Sequence, residues 1–190
     1  MINGDKLRDA MISATNNLSN NRKQTDDLNV FPVPDGDTGT NMSMTLSNSA
    51  RELEKLSGET AGKVAAVNAS ALLRGARGNS GVITSLLFRG FAKGIGDDEF
   101  VTSENLANAF ELGVEAAYKA VMKPTEGTIL TVARVAGEYA RKACDEGKTE
   151  LEVFESAIEG AETALAQTPE LLPQLKKAGV VDAGGFGFVL

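Results

Sequence analysis

Asp35 and Asp37 flank Gly36, and a tight turn through that glycine would aim both carboxylates at one point, where they could serve as hard oxygen ligands for a divalent cation. Thr38, Gly39, Thr40 and Asn41 follow at once and lead into an apolar pattern of helical period. The start of such a helix carries unpaired amide N–H groups and partial positive charge, which attract phosphate oxygens. Metal and phosphate would then meet in one place. The same residues also suit a plain Asp/Gly turn with a threonine cap, and both readings stand on spacing alone. A calcium loop of the EF-hand type is excluded, because the twelfth position counted from Asp35 is Leu46, which offers no carboxylate.

Gly75-Ala76-Arg77-Gly78-Asn79-Ser80-Gly81 separates two further helical patterns and sets amides, one carboxamide and one hydroxyl at another helix start. Such a turn can cradle an anion or simply turn a tight corner. It lacks the spacing of a Walker-type loop, and its nearby cations are Arg74 and Arg77. Pro124-Thr125-Glu126-Gly127-Thr128 and Asp182-Ala183-Gly184-Gly185 are two more polar, glycine-bearing helix starts. Each alone reads as a cap, but alternate connections of an antiparallel bundle share an end, so together they would build one polar mouth.

The composition limits the chemistry. With no histidine in the chain, histidine triads, histidine-ligated zinc and a histidine general base are excluded. With 19 basic against 26 acidic side chains, the net charge of −7 disfavours binding to nucleic acid. A lone cysteine, Cys144, has no partner for a disulfide and reads as a packing residue; together with the lack of an N-terminal signal pattern this points to a reducing cytoplasm. No apolar run is long enough to insert in a bilayer. The 190 residues fit one domain.

The elements that must carry these motifs are helical throughout. Apolar positions predict helices through Leu7 to Leu18 capped by Asn3, Met42 to Leu56 ending at Gly58, and Val64 to Leu72 capped by Thr60. Others run from beyond Gly81 to Gly94, from Ser103 to Val121, from Thr128 to Ala143, and from Thr149 to Pro169. Leu171 to Ala178 is short, Val180 to Leu190 is a glycine-rich segment, and Asn21 to Thr38 is a long functional loop. No strand pattern is present. The expected fold class is all-α, an antiparallel up-and-down barrel or bundle of about eight helices with its site at one end.

Asn29-Val30-Phe31-Pro32-Val33-Pro34-Asp35-Gly36-Asp37-Thr38-Gly39-Thr40-Asn41-Met42, with the Gly75–Gly81 turn, Met122 to Leu130 and Val181-Asp182-Ala183-Gly184-Gly185, closely resembles the N-terminal kinase domain of bacterial fatty acid kinase. That domain is similar in turn to the ATP-binding subunit of dihydroxyacetone kinase. The resemblance implies a helical barrel with ATP or ADP and two Mg²⁺ ions in its mouth. It implies metal contacts at Asp35 and Asp37, with Asn29 at the position of a third ligand, one residue being inserted between. Nucleotide contacts carry over onto Thr38, Gly39, Thr40, Asn41, Asn79, Ser80, Ile129, Asp182, Ala183 and Gly184. Where the dihydroxyacetone kinase pattern has histidine after D-G-D and proline in D-P-G, this chain has Thr38 and Ala183.

The resemblance further implies phosphoryl transfer to a fatty carboxylate presented by a separate fatty-acid-binding protein, recruited through later domains of a longer polypeptide that could dimerise. Residues 1–190 would bind nucleotide and transfer phosphate weakly or not at all on their own. A small hydroxy-ketone acceptor, or a non-catalytic nucleotide-sensing helical domain, are the alternatives.

Overall fold

The computed structural model describes all residues from Met1 to Leu190. Ten helices follow one another: α1 (Gly4–Asn20), α2 (Arg22–Asp27), α3 (Thr38–Leu53), α4 (Ala61–Gly75), α5 (Gly78–Ile95), α6 (Ser103–Ala120), α7 (Ile129–Asp145), α8 (Glu150–Leu171), α9 (Pro173–Ala178) and α10 (Ala183–Val189). The only strands are the two-residue β1 (Ile2–Asn3) and β2 (Phe100–Val101), an antiparallel pair. The all-α expectation holds.

Polar side chains set the helix starts. Asn3 accepts the Lys6 amide at α1, Thr60 the Lys63 amide at α4, and Thr149 the Glu152 amide at α8, where Glu152 returns the bond to complete a capping box. Thr102, rather than the expected Ser103, caps α6 in a reciprocal bond with Asn105. The second predicted helix starts earlier than its apolar pattern, at Thr38, and stops at Leu53, before Gly58.

At three further places the chain is more helical than its sequence suggests. The long loop after Asn20 contains α2, whose sequence Arg-Lys-Gln-Thr-Asp-Asp has no apolar period to betray it. Helix α8 continues through Pro169 to Leu171. Proline normally leaves the carbonyl four residues back without a donor, and here the Thr168 hydroxyl donates to the Leu165 carbonyl at 2.7 Å. The glycine-rich C-terminal segment forms α10, because its glycines fit where side chains would not: a Cβ at Gly187 would lie 2.9 Å from Met42 Sδ, and one at Gly185 would lie 2.8 Å from Val132 Cγ2.

Sequential helices run antiparallel. Gly94 of α5 faces Ala109 of α6, while Gly90 faces Leu112 and Gly113. Gly160 of α8 packs on Tyr139 of α7, and Asn48 of α3 donates to the Ala71 carbonyl of α4. This alternation gathers the starts of α3, α5, α7 and α10 at one end of the molecule. An alanine-rich core runs through α4, α6, α7 and α8, and a smaller apolar cluster of Leu18, Met42, Leu87, Ala117, Ile129, Leu130 and Ala133 lies toward the end that carries the site. Between α1 and α8 lies an apolar cleft of about 720 Å³, with Leu7, Met11, Phe154 and Ile158 on its walls. No helix is long and apolar enough to cross a membrane.

Candidate functional site

Asp37 occupies the N-cap position of α3, yet its carboxylate caps nothing. That duty falls to Asp26 at the end of α2: its Oδ1 accepts the Thr40 amide at 2.9 Å and its Oδ2 the Thr40 hydroxyl at 2.8 Å. The Asn41 amide goes to the Asp37 carbonyl. Of the first four amides of α3, those of Thr38 and Gly39 therefore remain uncommitted beside two uncommitted carboxylates. Gly39 lets α2 approach this helix start, since a Cβ there would lie 2.8 Å from Thr25 Cβ and would overlap the Arg22 carbonyl.

Asn29 is buried and clamps the loop from within. Its Oδ1 accepts the Asp37 amide at 3.1 Å and its Nδ2 donates to the Val33 carbonyl at 3.0 Å. Asp35 is exposed and Asp37 half-buried, with Gly36 in the left-handed region at φ 67°. No cluster of three acidic or sulfur side chains forms at the loop. Two free carboxylates on a clamped turn beside free amides do fit Mg²⁺, which commonly takes one or two protein carboxylates and completes its shell with phosphate oxygens and water.

The second glycine-rich turn packs directly on α3. Arg77 N–H donates to Thr45 Oγ1 at 3.1 Å, a Cβ at Gly75 would sit 2.6 Å from Asn48 Cβ, and one at Gly78 would collide with the Asn41 amide. Gly78 also has φ 58°, so no other residue suits the position. Arg77, at the N-cap of α5, makes no side-chain cap. Asn79 is exposed and Ser80 half-buried at this helix start. Thr38 to Asn41 and Asn79 to Ser80 are thus brought side by side.

Ile129 and Asp182 to Gly184 form a second group. The Asp182 carboxylate accepts the Gly185 amide at 2.7 Å and lies close enough to the amides of Ile129 and Gly184 to feel their positive ends, which brings the starts of α7 and α10 together. A Cβ at Gly184 would lie 3.3 Å from Ile129 Cβ. Asp182 is itself held by its amide, which donates to Thr168 Oγ1. Its side chain faces inward, so it shapes the Ala183-Gly184 turn rather than presenting a charge. Through Gly187 on Met42, α10 joins this group to α3.

Burial pushes the Asp182 carboxyl up to about 6, against the pull of the amides around it. The folded chain keeps this proton at pH values where the unfolded chain has lost it. Between about pH 4 and pH 6 folding therefore takes up a proton, and this group's contribution to stability falls as pH rises. Above that window the cost of the buried charge is fully present, roughly 3 kcal/mol. Asp182→Asn keeps an acceptor for the cap without a charge. Urea unfolding should show it matching the parent below pH 4 and exceeding it by up to roughly 3 kcal/mol at pH 7; identical pH profiles for the two would refute the assignment.

Asp26 and Thr45, outside the sequence motifs, and Glu126, inside one of them, also support the site. Asp26 and Thr45 organise α3 and its neighbouring turn from positions whose types give no warning of it. Glu126 accepts from Tyr118 at 2.9 Å, Thr131 at 2.8 Å and Arg134 at 3.0 Å, fixing the loop before α7. Burial raises the Glu126 carboxyl, but these donors outweigh burial and hold it below the ordinary carboxylate value. Cys144, half-buried, packs against the main core as expected.

The chain is thus an antiparallel helical bundle with several glycine-bearing helix starts at one end and two free carboxylates among them, an arrangement suited to a phosphate-bearing ligand. The chain belongs to the DAK2 domain family, whose model matches residues 32–190. The family is that of the nucleotide-binding domain of dihydroxyacetone kinase. The chain is similar, at 49% identity over 188 residues, to an uncharacterised protein of Staphylococcus haemolyticus. It is also similar to uncharacterised proteins of Staphylococcus aureus at 48% and Staphylococcus epidermidis at 47%. Each alignment covers 99% of this chain and 34% of the relative, so the chain spans about a third of the length of these relatives.

Proposed function

We propose that this domain binds ATP through Mg²⁺ and serves phosphoryl transfer to the carboxylate of a fatty acid held by a separate fatty-acid-binding protein in the cytoplasm. The observation that carries the nucleotide half of this reading is the free Asp37 carboxylate at the head of α3, relieved of capping by Asp26 and set beside free amides. Asp35 and Asp37 would hold two Mg²⁺ ions, which neutralise charge on the phosphate oxygens when bound. The amides of Thr38 and Gly39 would receive one phosphate group, and the start of α5 at Asn79 and Ser80 another. Ile129 and the Ala183-Gly184 turn would border the base.

Two features support a carboxylate acceptor. The long Asn29 to Met42 motif resembles the fatty acid kinase pattern, and the chain has no histidine to act as a base. A carboxylate oxygen is already a nucleophile. It forms a bond to the γ-phosphorus as the bond to the β-phosphate bridging oxygen breaks, ADP leaves, and no proton moves. The test is to supply the full-length protein with Mg-ATP and a fatty-acid-loaded carrier, then trap acyl phosphate with hydroxylamine. Hydroxamate accumulation is the expected result; transfer to dihydroxyacetone instead, or none to either, would overturn the acceptor assignment.

A further inference from the structure

On the outer flank of α3 lies a polar groove of about 420 Å³. It follows the helix from Thr40 to Arg51, roughly 16 Å at the helical rise. Arg22 and Arg51 line it together with Arg74 and Arg77, and no acidic residue does. In a chain of net charge −7 that concentration of cations stands out. The ion pairs that arginines make in this chain use Arg8, Arg134 and Arg141, whereas none of these four pairs with a carboxylate. Arg74 donates only to Ser70 Oγ, at 2.6 Å, and Glu52, the acid nearest it on α3, is paired with Lys55. Four like charges gathered with no ion-paired counter-charge repel one another, and an anion between them would relieve that cost.

A second, independent observation comes from Ser43, in the lining of the groove. It is 6% exposed, and its hydroxyl is the one buried side-chain polar atom of the chain with no hydrogen-bond partner. A buried hydroxyl is nearly always satisfied, and a rotation of this short side chain toward the groove it lines would let a ligand oxygen satisfy it. The groove lies along the flank of the helix, while the nucleotide residues gather at its start. Thr40, common to both, already has its amide and hydroxyl engaged by Asp26.

We propose that this groove is a binding site, separate from the nucleotide site, for a small ligand carrying two or more phosphoryl groups. Guanidinium forks match phosphoryl oxygens in pairs, and tetrahedral phosphoryl groups accept from several directions, as donors on three sides of a groove require. The spread of the arginines along about 16 Å calls for more than one anionic group.

Calorimetric titration with sodium tripolyphosphate in EDTA, where a metal-dependent nucleotide site does not form, tests this. Arg51→Gln with Arg74→Gln changes two exposed side chains and should weaken tripolyphosphate by roughly tenfold or more, with a smaller loss for Ser43→Ala. Mg-ADP affinity of the double variant should equal that of the parent. Three results would each overturn the proposal: tripolyphosphate affinity unchanged in the double variant, Mg-ADP affinity falling in step with it, or citrate binding the parent as tightly as tripolyphosphate.

Discussion

Asp37→Ala should lower the affinity for Mg-ADP by roughly 100-fold or more while leaving the melting temperature where it was. The two halves of that expectation come from one geometry. The Asp37 carboxylate makes no hydrogen bond within the chain, so its removal leaves no broken cap and no orphaned donor, and a surface truncation of that kind moves stability by only about 0.5 kcal/mol. What it removes is a metal ligand. Asp26→Ala separates the roles: α3 loses its cap, at a cost of roughly 1–2 kcal/mol, and the freed Thr40 amide becomes available to the Asp37 carboxylate. That variant should lose both stability and Mg-ADP affinity. Asp26→Asn, which keeps an acceptor for the Thr40 amide, should retain most of both. Thermal unfolding and titration calorimetry on the three variants decide the matter; a nucleotide affinity indifferent to Asp37 would remove the metal assignment.

Gly90→Ala should be strongly destabilising, by about 3 kcal/mol or more, which at this length is a fall in melting temperature of about 10 °C. A Cβ at Gly90 would overlap the Leu112 carbonyl and come within 2.5 Å of the Gly113 Cα, and a Cβ at Gly113 would lie 2.7 Å from the Leu87 carbonyl. These are backbone atoms of α5 and α6, so no rotamer change can make room, and the two helices must part. Gly179→Ala provides the contrast. Nothing lies within 4 Å of its Cβ position, but its φ of 70° and ψ of 31° are left-handed, so the cost is the conformational one of about 1–2 kcal/mol. Equal losses for the two variants would show that close packing of α5 on α6 is not what Gly90 provides.

Much of the helical layout is legible in the sequence, because caps and apolar period report on local structure. Asn3, Thr60, Thr128 and Thr149 open their helices as the sequence predicts. What escaped was set by distant packing. Helix α10 forms from a segment of poor helix formers because Met42 and Val132 leave room only for glycine, and α8 passes Pro169 because Thr168 supplies the missing donor. The same division holds at the site. The Asp35-Gly36-Asp37 turn and its following helix are contiguous and can be read directly. The substitution of Asp26 for Asp37 as the cap depends on a contact 14 residues apart across a loop. The arginine groove gathers Arg22, Arg51, Arg74 and Arg77 from three separate stretches of chain, and spacing along the sequence carries no trace of that meeting.

The most direct test of the central claim is anomalous diffraction from crystals of the protein grown with Mn²⁺ and ADP. Manganese peaks are expected at coordination distance, about 2.2 Å, from carboxylate oxygens of Asp35 and Asp37, with ADP phosphate oxygens on the amides of Thr38 and Gly39. Manganese and nucleotide bound elsewhere, with both aspartates turned to solvent, would contradict it.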